Sequence, residues 1–371
     1  MKILIIDTYY PNFLKSFRCK YPDLYRQSYN KQLQLLLKQS FGTADFYSFN
    51  LKKLGHQAED VVVNDEILQQ RLAFEENIKV SRVSYLSKIQ MFPFIHRYIG
   101  RPKWVQEIAL EQIKRAKADI VYVQDLSILN PETLLEVKKY CHLLVGQIAC
   151  PLPSAINLKC FDLILTSFPH YVDYLKKSGI KSEYFKLAFE PRVLKRVGKR
   201  ERTYDVSFVG SFSYFHRSGT RLLEDVAKKI PINIWGQGLN MYYFFSPLRK
   251  NYHGEIWGLS MYEILAQSKI VINRHISVAR DDANNMRLYE STGMGAMLIT
   301  DEKKNISELF EVGKEVETYK GASDLLEKIQ YYLTHEKERE KIAKAGQLRT
   351  LNEYNYYIRM KELVKILQKY L

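Results

Sequence analysis

The chain of 371 residues contains few cysteines and no long apolar run. Its four cysteines, Cys19, Cys141, Cys150 and Cys160, form no CxxC pair, which argues against a disulfide framework or a zinc site and fits a reducing cytoplasm. No apolar stretch approaches the roughly 20 residues that a membrane-spanning helix needs. The opening segment MKILIID is too short for the core of a signal peptide and is predicted to be the first β-strand. These features predict a cytoplasmic protein.

The chain has fewer acidic than basic residues: 41 Asp and Glu but 56 Lys and Arg, which gives a net charge of +15. Such an excess favours anionic partners, namely phosphorylated substrates, an anionic membrane surface or nucleic acid. The basic residues are dispersed except in residues 192–202, and no RNP, zinc-finger or basic-zipper pattern accompanies them. Nucleic-acid binding is therefore disfavoured, whereas peripheral contact with an anionic membrane stays open.

Strand-like apolar segments alternate with amphipathic helical segments in both halves of the chain. The predicted strands are residues 2–7, 119–124, 142–148 and 162–167 in the first half and 204–210, 231–236, 269–274 and 296–301 in the second. Alternation of this kind is typical of parallel sheets built from βαβ units. We predict an α/β protein of two doubly wound, Rossmann-like domains, residues 1–195 and 196–371, with a C-terminal helix that crosses back. The GxGxxG fingerprint is absent, which disfavours a dinucleotide oxidoreductase.

One segment of the second half, residues 280–300 (RDDANNMRLYESTGMGAMLIT), combines groups that bind a nucleoside diphosphate. Arg287 precedes Glu290 by one turn of the predicted helix, so both lie on one face. A guanidinium binds phosphate oxygens, helix-terminal amides add positive potential, and a carboxylate accepts ribose hydroxyls. The alternative is an amphipathic helix with a surface ion pair. Further candidate contacts from the segment are Asp282, Asn285 and Gly295.

Turns after the other predicted strands supply more candidates. Gly210 and Ser211 form the turn at the end of the predicted strand 204–210 and would offer backbone N–H groups to phosphate, with Arg217 adding charge. Gly236 ends the next strand, and Asn273 lies near the end of the strand after it. Ordinary βα turns and a satisfied polar pair are the alternatives.

The spacing of Asp282 and Glu290 is similar to the EX7E motif of GT-B glycosyltransferases, with Asp in the first position. Residues 204–367 resemble the CgeB-like glycosyltransferase family, in the phrases DVSFVGSF, IWGLSMYEIL, KIVINRHI and NMRLYESTGMGAMLIT. The phrases GQIACPLP, DLILTSFPH and YFKLAFEPRVL resemble the same group. The resemblance implies a GT-B fold whose domains face a cleft. It also implies that Arg217, Arg287 and the Gly210 turn stabilise the departing diphosphate, with Glu290 on the ribose and Asp282 on the sugar.

A catalytic base is expected after the strands of the first half, where Asp7, Asp125 and His170 lie. The near-neutral pKa of histidine suits proton removal from an acceptor hydroxyl, and Asp125 is the alternative base. A helix cap or core role for His170 and a turn role for Asp125 are the structural alternatives.

The sequence thus predicts a glycosyltransferase that moves a sugar from a nucleotide-sugar to a hydroxyl of a glycan, a lipid-linked or a surface-polymer acceptor. No metal site and no cofactor are expected, because arginine and helix-terminal amides take over charge neutralisation. The alternative is a non-catalytic nucleotide- or sugar-binding protein on the same scaffold.

Overall fold

The computed structural model describes residues 1–81, 101–213 and 216–371, which divide into two compact units. The first unit comprises Met1–Phe185 and Met360–Leu371, and the second comprises Lys186–Arg359. The second unit thus begins at Lys186, earlier than the boundary at residues 195/196 that the sequence suggests.

A parallel sheet forms the centre of the first unit. Its strands are β1 (Lys2–Asp7), β2 (Gln57–Val62), β3 (Ile120–Val123), β4 (Leu143–Ile148), β5 (Leu163–Thr166) and β6 (Ser182–Tyr184), in the spatial order β2-β1-β3-β4-β5-β6. Every residue of β3 and β5 is buried, which is typical of parallel strands covered on both faces. The helices are α1 (Pro11–Lys20), α2 (Tyr29–Leu37), α3 (Phe46–Lys53), α4 (Glu66–Glu75), α5 (Lys103–Ala116), α6 (Pro131–Val137), α7 (Ala155–Lys159) and α8 (Pro169–Lys177).

The second unit contains another parallel sheet. Its strands are β7 (Tyr204–Val209), β8 (Asn233–Trp235), β9 (Ser268–Asn273), β10 (Met297–Asp301) and β11 (Glu317–Tyr319), in the order β11-β10-β9-β7-β8. The helices are α9 (Arg192–Val197), α10 (Arg217–Ala227), α11 (Leu239–Tyr242), α12 (Gly258–Gln267), α13 (Met286–Gly293), α14 (Ile306–Leu309), α15 (Ala322–Thr334), α16 (Glu336–Glu353) and α17 (Tyr356–Gln368). Apolar side chains of β7, β9 and β10 form its core with those of α10 and α15.

The last helix, α17, begins in the second unit, and the chain from Met360 onward belongs to the first. There the hydroxyl of Tyr370 donates to Glu183 Oε1 at 2.9 Å. The predicted fold class, two doubly wound parallel-sheet domains with a terminal helix that crosses back, is confirmed.

Each sheet has one point where the strand order reverses, between β1 and β3 in the first and between β7 and β9 in the second. Open α/β sheets bind ligands outside the carboxyl ends of the strands at such points. Ligand-binding side chains are therefore expected at these two edges. Within the described ranges, no helix has both the length and the apolar content needed to cross a bilayer.

Candidate functional site

The turns after β7 and β8 touch each other at the carboxyl edge of the second sheet. The Gly210 N–H donates to the Trp235 carbonyl at 3.0 Å, so this amide is already used. The expectation that Gly210 offers its N–H to a phosphate is therefore corrected. Gly236 has a φ of +141°, and a Cβ there would lie 1.7 Å from the Gly210 oxygen. Only glycine fits this close approach of two backbones.

The Arg287–Glu290 pair lies beside this turn rather than on an outer surface. Arg287 Nε donates to the carbonyl of Val209, the last residue of β7, at 3.1 Å. Its Nη1 lies 2.7 Å from Glu290 Oε2, and the two side chains are only 15% and 7% exposed. The guanidinium is thus held at the carboxyl end of a central strand, next to Gly210, and the alternative of a surface ion pair does not hold.

Tyr262 of α12 completes the surroundings of Glu290. Its hydroxyl donates to Glu290 Oε1 at 3.3 Å. Burial and the neighbouring Glu290 charge hold the pKa of Tyr262 well above its usual value, so the hydroxyl stays protonated. A carboxylate accepts about four hydrogen bonds. Glu290 therefore keeps acceptor capacity beyond its contacts with Tyr262 and Arg287.

Asn285 and Asn273 fix the start of α13 against the sheet. The Asn285 side chain accepts from the Leu288 N–H at 3.1 Å and so caps the helix. Its Nδ2 donates to Asn273 Oδ1 at 2.9 Å, and Asn273 Nδ2 donates to Thr300 Oγ1 at 3.0 Å. Both candidates thus lie at the start of α13 and at the end of β9, where these hydrogen bonds join them.

Arg274, which the sequence did not single out, organises the loop after β7. Its Nη1 donates to the His216 carbonyl at 2.5 Å and its Nη2 to the Ser211 carbonyl at 3.1 Å. The guanidinium lies over the rings of Phe208 and Phe212, at 5.0 and 5.5 Å from their centroids. Burial lowers the pKa of Arg274 to about 10, so it remains a cation at neutral pH.

His275 and Asp301 form a second polar pair at the ends of β9 and β10. His275 Nδ1 lies 2.6 Å from Asp301 Oδ1, and the His275 backbone N–H donates to the same oxygen at 3.1 Å. Burial alone would raise the pKa of Asp301, but the His275 contacts and the Lys303 charge outweigh it and hold the pKa below its usual value. The carboxylate is therefore charged and orients the imidazole.

Two predicted residues stand at the margin of this group. Arg217 is exposed at the start of α10, and in the part of the chain with described coordinates it makes no ion pair. Asp282 lies in the loop between β9 and α13, where the N–H of its neighbour Ala283 donates to Asn305 Oδ1 at 2.5 Å. The loop is thus tied to the segment after β10, and neither side chain joins the Arg287–Glu290 contacts described above.

Gly295 lies at the opposite edge of the sheet, after α13 and before β10. Its φ is +75°, and its carbonyl accepts from Arg202 Nη2. Arg202 Nη1 also donates to the carbonyls of Ala266 at 2.7 Å and Ser268 at 2.9 Å. Gly295 therefore belongs to a junction of helix ends held by Arg202, and the structure does not bring it together with the other donor-site candidates.

The first sheet brings Asp7 and Asp125 together where its strand order reverses. Thr8 joins them, because its N–H donates to Asp7 Oδ1 at 2.7 Å and its hydroxyl to Asp125 Oδ2 at 3.1 Å. Burial, reinforced by the Asp125 charge, raises the pKa of Asp7 to about 7, although the Thr8 and Thr43 hydrogen bonds oppose it. Asp7 is therefore able to exchange a proton near neutral pH.

Asp125 is also bound from its own loop and from Arg101. The Ser127 N–H and hydroxyl donate to Asp125 Oδ1 at 2.9 and 2.7 Å. Arg101 Nη2 lies 3.6 Å from Asp125 Oδ2. These donors hold the carboxylate in one orientation beside Thr8.

His170 is displaced from that pair along the same edge. It lies at the start of α8 after β5, and two strand spacings, roughly 10 Å, separate β5 from β3. Its ring packs against Phe168 and Tyr171, at centroid distances of 5.4 and 4.8 Å. The three candidate bases thus share one sheet edge, and Asp7 and Asp125 have Thr8 as a common hydrogen-bond partner.

Comparisons with known proteins agree with this architecture. Residues 217–365 match the family described as "Glycosyl transferase-like". No match was found among curated protein sequences. The assignment to the CgeB-like family stays a prediction.

Three similar solved structures are aligned over the whole of this chain. They are a glycosyltransferase from Rickettsia africae (14% identity, TM-score 0.57, 98% of that chain), Anabaena HepE in complex with UDP-glucose (12%, 0.59, 100%) and sucrose-phosphate synthase from Thermosynechococcus elongatus (10%, 0.60, 98%). At these identities the likeness concerns the fold. The chain thus has the fold of GT-B glycosyltransferases.

Proposed function

We propose that the protein is a glycosyltransferase that moves a sugar from a nucleotide-sugar to an acceptor hydroxyl. The observation that carries the proposal is the Arg287 guanidinium, held by Val209 and Glu290 at the carboxyl end of β7. The family match over residues 217–365 and the likeness to a UDP-glucose complex support the same chemistry.

The donor diphosphate would bind at the turn after β7. Arg287 supplies positive charge there, and the Ser211 amide, which has no acceptor among the described residues, supplies an N–H. Exposed Arg217 would reach the phosphates from the start of α10. Charge that develops on the departing diphosphate is stabilised by such preorganised donors. We therefore propose metal-independent transfer without a cofactor.

Glu290 would accept ribose hydroxyls, because Tyr262 and Arg287 orient it without using its full acceptor capacity. Asn285 and Asn273 would act by positioning α13. Gly236 would keep the Gly210 turn in place, and Asp282 is proposed to contact the sugar.

On the acceptor side we propose the Asp7–Asp125 pair as the catalytic base, with His170 as the alternative. The raised pKa of Asp7, about 7, suits removal of a proton from a hydroxyl at neutral pH. The acceptor would be a glycan, a lipid-linked or a surface-polymer molecule. A cytoplasmic location with peripheral contact to anionic membrane fits the net charge of +15.

Turnover of UDP-glucose by the Arg287→Ala variant tests the proposal. Loss of the guanidinium should lower UDP release by at least about 100-fold, the effect of removing one donor that stabilises developing charge. Arg221→Ala, which removes an exposed arginine of the same unit, is the matched control and should turn over as the wild type does. Equal turnover by wild type and Arg287→Ala contradicts the proposal, and UDP-glucose binding without any turnover favours a binding protein.

A further inference from the structure

An exposed apolar tip follows β8 in the second unit. We name residues 241–250 the aromatic tip. Met241, Phe244 and Phe245 are 68%, 64% and 102% exposed, so their side chains project into solvent. Large apolar side chains grouped on a surface mark an interaction site more often than isolated ones do.

The backbone beneath these side chains is held in place. Leu248 is 1% exposed and belongs to the core of the unit. Its N–H donates to Ser246 Oγ at 3.3 Å, and Arg249 Nη1 donates to the Phe244 carbonyl at 2.9 Å. The exposure of Phe244 and Phe245 is therefore a property of an anchored turn.

The charged side chains within residues 239–254 are positive. Arg249 and Lys250 are exposed, and residues 239–254 contain no Asp or Glu. The short 3-10 helix Pro247–Asn251 packs against α10, which carries exposed Arg221 and also exposed Asp225, whose charge is paired with Lys228. Aromatic side chains beside a cationic rim complement a bilayer whose surface is anionic and whose interior is apolar.

We propose that the aromatic tip inserts into the interface of an anionic membrane. A stable contact between two copies buries roughly 800 Å² on each partner, more than three projecting side chains provide. The tip follows β8 in the chain, and β8 ends at the carboxyl edge that carries the candidate donor site. The inference rests on the membrane contact in the proposed function but not on sugar transfer.

Sedimentation of the full chain with vesicles tests the inference. The vesicles contain phosphatidylcholine alone or phosphatidylcholine with phosphatidylglycerol. The test variant is Phe244→Ser with Phe245→Ser, and the matched control is Ile156→Ser with Leu348→Ser, which removes two apolar side chains that are 68% and 51% exposed elsewhere. The tip variant should bind anionic vesicles at least about tenfold more weakly than wild type, while the control binds equally well.

Lys250→Glu should also weaken binding to anionic vesicles, by about tenfold, because it reverses a charge at the membrane surface. Equal binding by wild type and the tip variant overturns the inference.

A dimer of the wild type in light scattering that the tip variant no longer forms also overturns the inference, because the tip would then be an interface between two copies. UDP-glucose hydrolysis in solution should be unchanged in the tip variant, which separates this test from that of sugar transfer.

Phe245→Trp provides a second readout that does not require loss of side chains. The fluorescence that this tryptophan adds to that of the wild type should shift to the blue with anionic vesicles. Brominated lipid should quench it, because the indole enters the membrane interface. Unchanged fluorescence of that residue in the presence of bound vesicles overturns the inference.

Discussion

Two carboxyl groups of the first unit, those of Asp7 and Asp60, have pKa values well above the usual value for aspartate. Asp60 in β2 accepts a hydrogen bond from Ser48 Oγ, and its Oδ1 is buried with no partner in the described structure. Burial raises the pKa of Asp60 to about 7. The folded state therefore favours the protonated form, which contributes stability at acidic pH that is lost as the pH rises through about 7.

Asp60→Asn should remove this loss of stability. The free energy of unfolding of the variant, relative to wild type, should rise by about 2 kcal/mol between pH 5 and pH 8, because the amide does not ionise. Urea denaturation at both pH values measures the difference. Exposed Asp173→Asn is the control, and a constant difference between Asp60→Asn and wild type across this range contradicts the assignment.

Asp7 should set the pH dependence of turnover if it acts as the base. Its pKa of about 7 predicts that kcat rises with pH through neutrality, since only the carboxylate accepts a proton. Asp7→Asn should lower kcat by about 100-fold or more and abolish this rise, whereas His170→Ala should retain it. If His170→Ala abolishes the rise and Asp7→Asn keeps it, the base is His170.

At the scale of elements, the contact between the turns after β7 and β8 leaves no room for a side chain at Gly236. A Cβ at Gly236 would overlap the Gly210 oxygen, and the backbone there has a φ of +141°. Gly236→Ala should therefore displace the Gly210 turn and cost about 3 kcal/mol or more of stability. It should also weaken nucleotide binding.

Gly254→Ala is the matched control for that substitution. Gly254 has a φ of +92°, but a Cβ there meets nothing within 4 Å. Backbone strain alone should cost roughly 1 kcal/mol. Thermal unfolding with and without UDP compares the two variants, and equal losses for both would show that the overlap with Gly210 has no effect.

The elements that the sequence predicted well are the central strands. Continuous apolar segments predicted residues 2–7, 162–167 and 296–301, and the structure has β1, β5 and β10 there. The segments that escaped prediction are edge strands: β2, β6 and β11. These three strands are short or partly polar and leave no continuous apolar signal, whereas the edge strand β8 lies in the apolar segment 231–236 and was predicted.

Within the candidate site, contacts inside one segment could be predicted, whereas contacts between distant segments could not. Arg287 and Glu290 lie one helical turn apart, and that spacing predicted their contact. Arg274 and Asp301 could not be assigned, because their partners Ser211 and His275 come from other segments of the chain. The hydrogen bond from the Gly210 N–H to the Trp235 carbonyl could not be predicted for the same reason, because the two residues lie at the ends of different strands.

At the scale of the whole molecule, the main candidate site residues of each unit lie at the carboxyl edge of its sheet. The second unit presents a cation beside a glycine turn, and the first presents a pair of carboxylates. The proposed function assigns the sugar donor to the second unit and the catalytic base to the first. Sugar transfer then requires that the second unit binds a nucleoside diphosphate through Arg287.

Calorimetric titration of UDP in the presence of EDTA measures this binding. Wild type should bind UDP without a divalent cation, and Arg287→Ala should bind at least about tenfold more weakly because a charged hydrogen bond to phosphate is lost. Equal affinity for UDP in wild type and Arg287→Ala would show that Arg287 does not bind the diphosphate.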